Sequence, residues 1–211
     1  MVKKLFLVRH GESEANAANV QLGGEGHLTA KGKMEAKKLA GRFRKIPVDL
    51  ILASDYERSL ETAEIICRKI RKKLLVTELL REQRSSKEYL GRRYEQPRDP
   101  VIARIAALRK KYMNKKNWHY SDEENFFDAL KRAKKFLRFV ERRKKKNIVA
   151  VGHARFNRVI IGAMVFGKAF TPEIFYKLYD NFKTVNTGIT FCELQEGKWR
   201  IITWNDHAHL G

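Results

Sequence analysis

Four short apolar runs constrain this chain more than any other feature. Leu5-Phe6-Leu7-Val8, Asp49-Leu50-Ile51-Leu52-Ala53, Leu74-Leu75-Val76 and Asn147-Ile148-Val149-Ala150-Val151 are too short for helix cores, and helical stripes lie between them. Consecutive apolar positions suit strands buried on both faces, and strands alternating with helices suit a parallel sheet. Each run leads to a side chain capable of chemistry: Arg9 and His10, Arg58, Glu82, and His153. Ligands of open parallel sheets lie in the crevice beyond the carboxyl ends of the strands. Parallel, adjacent strands would therefore bring these five groups together.

The intervening segments read as helices. Thr29 is an N-cap for a helix with Met34, Ala36, Leu39, Ala40 and Phe43 on its buried face, stopped by Pro47. A second helix carries Arg58 in its first turn and runs to about residue 71, with Leu60, Ala63, Ile66 and Cys67 inward. From 83 to about 121 the pattern breaks: Arg84, Lys87, Arg92, Arg93 and Arg98 mix with Tyr89, Tyr94, Pro97 and Pro100, before and around one helix over 101–113. This segment reads as an insertion covering the strand ends, where loops build active sites. A helix over 154–166 begins at His153. Two strands, 188–194 and 199–204, are joined by a hairpin-like turn, so the sheet gains an antiparallel edge.

The chain of 211 residues has no Pro/Gly/Ser-rich linker and reads as a single domain, 1–211, with that insertion. The basic start Met1-Val2-Lys3-Lys4 is followed by only four apolar residues, too few for a signal-peptide core, and no stretch reaches the length of a membrane span. Cys67 and Cys192 are isolated, which suits a reducing cytoplasm. The net charge of +21 predicts attraction to polyanions. Nucleic acid is a possible partner but not the favoured one, because no nucleic-acid-binding module is visible. Within 122–146, Phe126, Leu130, Ala133, Leu137 and Val140 form one stripe. Lys131, Arg132, Lys134, Lys135 and Arg138 fall largely off it, as a solvated face should. Arg142-Arg143-Lys144-Lys145-Lys146 is placed in the last turns, where cations favour the helix dipole. Oligomeric state is not encoded in any of these patterns.

Two histidines, two arginines and a carboxylic acid, without metal-ligand spacing, suit phosphoryl transfer through a phosphohistidine. His10 attacks phosphorus. Arg9 and Arg58 hold the non-bridging oxygens, for which the planar guanidinium fork is well shaped, and their charge keeps His10 neutral. His153, at a helix N-terminus, adds charge stabilisation, and Glu82 protonates the leaving oxygen before taking a proton from water.

The order of motifs carries a resemblance. Arg9-His10-Gly11-Glu12-Ser13 with Asn16, Leu28-Thr29 with Gly32 and Ala36, Ser54 with Arg58 and Thr62-Ala63, Leu80-Arg81-Glu82, Gly152-His153, and Asn205-Asp206 with His209-Leu210 together resemble the histidine phosphatase superfamily, in its phosphoglycerate mutase-like branch. The resemblance implies a three-layer α/β/α sandwich with a mostly parallel central sheet and an inserted helical or loop cap. It implies His10 as nucleophile, Glu82 as proton donor and acceptor, and Arg9, Arg58 and His153 as the phosphate pocket, with no metal or cofactor. Asn16, Gln21, Gly23 and Ala154 fall at substrate-contact positions, and the expected partner is a small phosphorylated substrate.

Departures from the pattern refine this. Glu82-Gln83-Arg84-Ser85 lacks the Glu-Arg-His-Tyr-like stretch of mutases, which favours a phosphatase over a phosphoglycerate mutase-type phosphotransferase. Glu78 and Glu88 are alternatives to Glu82 as the acid. Asp122-Glu123-Glu124-Asn125 replaces the Gly-Glu-Ser start, so Glu124, Asn125 and Arg132 take no assigned role. Arg155 either grips a second anionic group or lies on the surface. The insertion's cations suggest a substrate with more than one anionic group, and Tyr89 and Tyr94 are candidates for its entrance. His27, His119, His207 and His209 lack ligand spacing apart from the last pair, which reads as a structural element. Trp118, Trp199 and Trp204 read as packing. The rival from another class is a non-catalytic polyanion-binding protein of the same fold.

Overall fold

The computed structural model describes residues 2–93 and 99–211; Tyr94, Pro97 and Arg98 of the insertion lie outside the described residues. The apolar runs form β1 (Lys3–Arg9), β2 (Leu50–Ala53), β3 (Leu74–Val76) and β4 (Asn147–Gly152), and the closing hairpin forms β5 (Ile189–Gln195) and β6 (Lys198–Asp206). They make one six-stranded sheet in the order β3-β2-β4-β1-β5-β6. The four N-terminal strands of that order run parallel, and β5 and β6 add the antiparallel edge. Glu196 and Gly197, at φ 52° and 74°, make the two-residue turn between them, the left-handed pair that matches strand twist.

Helices α1 (Glu14–Ala17), α2 (Ala30–Phe43), α3 (Glu57–Ile70), α4 (Pro100–Tyr112), α5 (Phe126–Glu141), α6 (Ala154–Phe166) and α7 (Pro172–Asn181) complete the chain. Alternate residues of β1 divide between two cores. Phe6 and Val8 pack with Leu39 and Phe43 of α2 and Ile66 of α3, whereas Leu5 and Leu7 pack with Phe136 of α5 and Phe156 of α6. Helices on both faces of a mixed sheet make the three layers that the motif order implies.

Several expectations need correction. β3 is not buried: Leu75 and Val76 are 37% and 45% exposed, because the strand closes one edge of the sheet and has a single neighbour. Met34 is 60% exposed, and Gly32 takes the buried place instead. The basic run Arg142 to Lys146 follows the end of α5 at Glu141 rather than occupying its last turns. Arg132 is half-buried and bonded rather than solvated, its guanidinium stacked over the Phe156 ring at 3.7 Å. Helix α7 carries a start signal that the motif reading passed over: Thr171 caps the Ile174 amide and Pro172 takes the first helical position.

One close approach fixes the entrance to the site. The start of α2 lies against the loop leaving β1, and a Cβ on Gly32 would run into the Glu12 carbonyl. Gly32→Ala is therefore expected to lower stability by about 2–3 kcal/mol. Gly41, nine positions further along the same helix, has open space around it, and Gly41→Ala is expected to raise stability by about 0.5–1 kcal/mol. Urea denaturation of both variants checks the pair, and shifts of the same sign would contradict the packing described.

Candidate active site

Strand register determines what meets. In the β1–β4 pairing Arg9 stands opposite Gly152, so His10 and His153 leave the sheet side by side, with ring centroids 5.1 Å apart. β2 ends level with β4 and feeds, through Ser54-Asp55-Tyr56, into α3, whose first turn carries Arg58. After β3 a 3-10 turn, Glu78–Leu80, brings Glu82 across to the start of α6. The five chemistry-bearing residues thus sit at one edge, as their placement at strand ends implies.

His10 is 4% exposed. Its Nδ1 lies 2.7 Å from the Gly11 carbonyl, and Nε2 lies 3.3 Å from Arg58 Nε. A carbonyl only accepts and a guanidinium only donates, so this pairing assigns the ring proton to Nδ1 and leaves the Nε2 lone pair on the Arg58 side. The Arg58 Nη1 also donates to the carbonyls of Gly23 (3.0 Å) and Glu25 (3.1 Å), and its guanidinium lies 5.2 Å from the centre of the Tyr56 ring. Arg9 Nη1 donates to the Thr184 carbonyl at 2.8 Å. His153 is fully buried, with Nε2 3.3 Å from Ser59 Oγ and the Tyr56 ring edge-on at 5.2 Å.

Both histidines are held well below the ordinary imidazole value, first by burial and then by the Arg58 charge, with Arg9 adding to it. The unfolded chain takes up protons on these rings near pH 6.5, and the folded chain does not. Stability therefore falls as pH drops below that value, by about 1.4 kcal/mol per pH unit for each ring. The denaturation midpoint is expected to fall by an amount equivalent to about 3 kcal/mol between pH 7.5 and 5.5. A midpoint unmoved over that range would contradict the two buried neutral rings.

The Glu82 carboxylate sits on the N-terminus of α6. Its oxygens accept from the amides of Phe156 (2.8 Å), Arg155 (3.1 Å) and Gln83 (2.9 Å), an arrangement that the first turn of a helix favours. Neither alternative acid shares this place: Glu78 pairs with Arg81, and Glu88 with Arg104 and Tyr120.

A cavity of about 540 Å³ opens over this cluster, lined by Arg9, His10, Asn16, Gln21, Arg58, Glu82 and Ala154 among others. Gly23 is not part of that lining; its carbonyl serves to anchor Arg58 instead. Asn16 is held twice, in the Ser13 capping box and by Asn186. From the 83–121 segment Tyr89, Arg109, Tyr112 and Trp118 line the cavity, so Trp118 is more than packing. Arg92 and Arg93 are not in the lining, and Arg92 is paired with Asp99. Arg155 is half-buried along the lining, not on the surface. Glu124 and Asn125 also line it; Glu124 is paired with Arg132, and Asn125 caps α5. His209 bonds Thr187 Oγ1 at 3.0 Å and, with burial lowering it to about 4, is the structural element expected of the C-terminus.

Sequence reading missed Asn186 and Thr184. Asn186 Nδ2 donates to the His10 carbonyl (3.0 Å) and to Asn16 Oδ1 (3.1 Å). A signal was present. β5 runs antiparallel to β1, with Ile189 opposite Val8, so the polar residues entering β5 fall at the edge where β1 delivers His10.

Fold and site together define an α/β protein whose sheet presents two neutral imidazoles, flanked by guanidinium groups, at the carboxyl edge of its parallel strands. A family model described as histidine phosphatase superfamily (branch 1) matches residues 5–207. The chain belongs to the histidine phosphatase superfamily. Among its relatives, a Hydrogenobacter thermophilus protein named "Putative phosphoserine phosphatase 2" is 28% identical over 213 residues, spanning 99% of this chain and 98% of that one. The adenosylcobalamin/alpha-ribazole phosphatase of Salmonella typhimurium is 44% identical over 67 residues, 30% of this chain and 32% of that one. The solved structure of Bacillus stearothermophilus YhfR shares the fold, with a TM-score of 0.81, 24% identity and 99% coverage of both chains.

Proposed function

We propose that the protein is a phosphatase that hydrolyses small phosphate monoesters without a metal, through a phosphohistidine on His10. The observation that carries this reading is the state of His10: a buried, neutral ring whose proton is tied to the Gly11 carbonyl and whose Nε2 lone pair lies beside Arg58. In the first step Nε2 attacks phosphorus, the ester P–O bond breaks, and Glu82 in its acid form gives its proton to the leaving oxygen. In the second, the Glu82 carboxylate takes a proton from water and the hydroxyl attacks phosphorus. The P–N bond breaks, releasing inorganic phosphate and neutral His10.

Arg9 and Arg58 hold the non-bridging oxygens and offset the charge that develops on them; His153, fully buried and outside the cavity lining, packs behind His10 with ring centroids 5.1 Å apart. Among the described residues no group of three or more His, Cys, Asp or Glu side chains could hold a metal ion, and the arginines supply positive charge where a metal would. Asn16, Gln21 and Ala154 are the contacts for the rest of the substrate. The 83–121 segment, whose α4 and flanking turns face the cavity, acts as a cap of the one domain. Among the described residues no helix is long and apolar enough to cross a membrane.

The test is turnover of a panel of phosphomonoesters in the presence of a chelator. Release of inorganic phosphate with simple saturation supports the reading. Interconversion of 3- and 2-phosphoglycerate without phosphate release would replace it with the phosphotransferase.

A further inference from the structure

The cavity extends well beyond what one phosphate group fills, and the cations around it are not equivalent. Arg109 is neutralised by Glu123, which is 4% exposed. Arg84 is exposed and donates from Nε to the Asp122 carbonyl, and Lys115 is exposed above the Tyr112 ring. Arg155 and Arg158 differ from all of these. They stand three residues apart on α6, both line the cavity, and no carboxylate side chain among the described residues pairs with either.

Arg158 is 6% exposed and is held by neutral groups, the carbonyl of Phe182 at 3.0 and 2.7 Å and that of Ala154 at 2.9 Å. Arg155 donates from Nε to the amide oxygen of Gln83 at 2.6 Å. Its guanidinium lies 5.0 Å from the ring centres of both Phe175 and Tyr179 on α7, and Arg158 lies 5.1 Å from Tyr179. Aromatic faces and a neutral amide orient a guanidinium without cancelling its charge. Among the described residues no carboxylate is bonded to either guanidinium; Glu82, whose charge reaches Arg158, is itself held by three backbone amides, so the repulsion between the two cations is only partly offset and a bound anion removes the rest.

We propose that Arg155, backed by Arg158 and laid on the α7 aromatics, forms a second anion subsite, so that the substrate is a phosphomonoester whose leaving group carries a further carboxylate or phosphate. The proposal rests on the phosphatase reading for the first subsite and adds the chemistry of the leaving group. Arg158, already fixed by three hydrogen bonds, supplies field. Arg155, with only Nε engaged among the described residues, supplies the planar fork that a carboxylate or phosphate accepts from.

The experiment compares kcat/KM for matched esters on the native chain and on Arg155→Met, which keeps an apolar stem against Phe175 and Tyr179. Phosphoserine against phosphoethanolamine reads a carboxylate; propanediol bisphosphate against propanediol monophosphate reads a phosphate. The native chain is expected to prefer the member with the extra anion, in one pair or both, by about 10-fold or more, and Arg155→Met to lose that preference through a rise in KM. Absence of a preference in the native chain, or loss of activity on both members in parallel, would overturn the subsite and mark Arg155 as a packing residue. If no ester turns over, the phosphatase reading fails by itself. The same four compounds titrated calorimetrically then read the subsite, with equal affinity within each pair as the result against it.

Discussion

His10→Ala is expected to abolish hydrolysis of every phosphomonoester that the native chain accepts, by roughly 10⁴-fold or more, while the fold survives. Loss of activity follows because, among the described residues, no other side chain presents a neutral, lone-pair nitrogen to the cavity among the guanidinium groups. His153 cannot substitute: it is 0% exposed, and its Nε2 faces Ser59. Survival of the fold follows because His10 is buried against its own electrostatic preference, so its removal takes away an acid-labile group. The variant should accordingly lose one proton's share of the pH dependence of stability, flattening the decline below pH 6.5 by about 1.4 kcal/mol per pH unit. Steady-state kinetics and denaturation at two pH values check both halves. Residual turnover within tenfold of the native rate would point to a different nucleophile.

Arg58→Ala is expected to lower kcat/KM by about 10³-fold, and Arg58→Lys to recover little of it. The planar group makes contacts in several directions at once, to His10 Nε2, to the Gly23 and Glu25 carbonyls and over Tyr56, and a single ammonium cannot reproduce that fan. The sign of the accompanying pH effect is specific. Arg58 lowers the pKa of both His10 and His153, so its removal raises them toward the ordinary value. His10 then protonates at higher pH, and the acid limb of the rate profile moves upward. An acid limb that stays in place, or moves downward, would contradict the electrostatic role assigned to Arg58.

The parts of this fold that were legible in sequence are those where burial decides identity. β1 and β4 lie at the centre of the sheet, and their consecutive apolar residues permit little else; their strand ends bring Arg9, His10 and His153 to one edge. Periodicity was less informative at the periphery. Leu75 and Val76 are as apolar as a buried strand, yet nothing in their side chains reports that β3 has one neighbour. Met34 is as apolar as its neighbours, but it stands two residues before Ala36, about 200° round the helix, and so faces away from the stripe of Gly32, Ala36, Leu39, Ala40 and Phe43. Arg132 reads as a solvated cation, whereas it pairs with Glu124 eight positions before it and donates to the carbonyls of Leu79 and Arg81, which are 53 and 51 positions away. The α7 aromatics belong to the site through tertiary contacts alone, and Asn186 and Thr184 only through the antiparallel pairing that brings the entry to β5 beside the end of β1. Gly23 was expected at the substrate and instead fixes Arg58, because a loop glycine gives no signal of which side its carbonyl will face.

The most direct test of the central claim is rapid quenching of the Glu82→Gln variant with an aryl phosphate, followed by peptide mass spectrometry under conditions that preserve phosphohistidine. An aryl leaving group needs little help from an acid, so the first step proceeds, while water lacks its base and the second step stalls. The account predicts one phosphoryl group per chain, on His10 and absent from the His10→Ala control. A phosphoryl group on another residue, or aryl alcohol released by Glu82→Gln at the native rate with no phosphorylated protein, would contradict it.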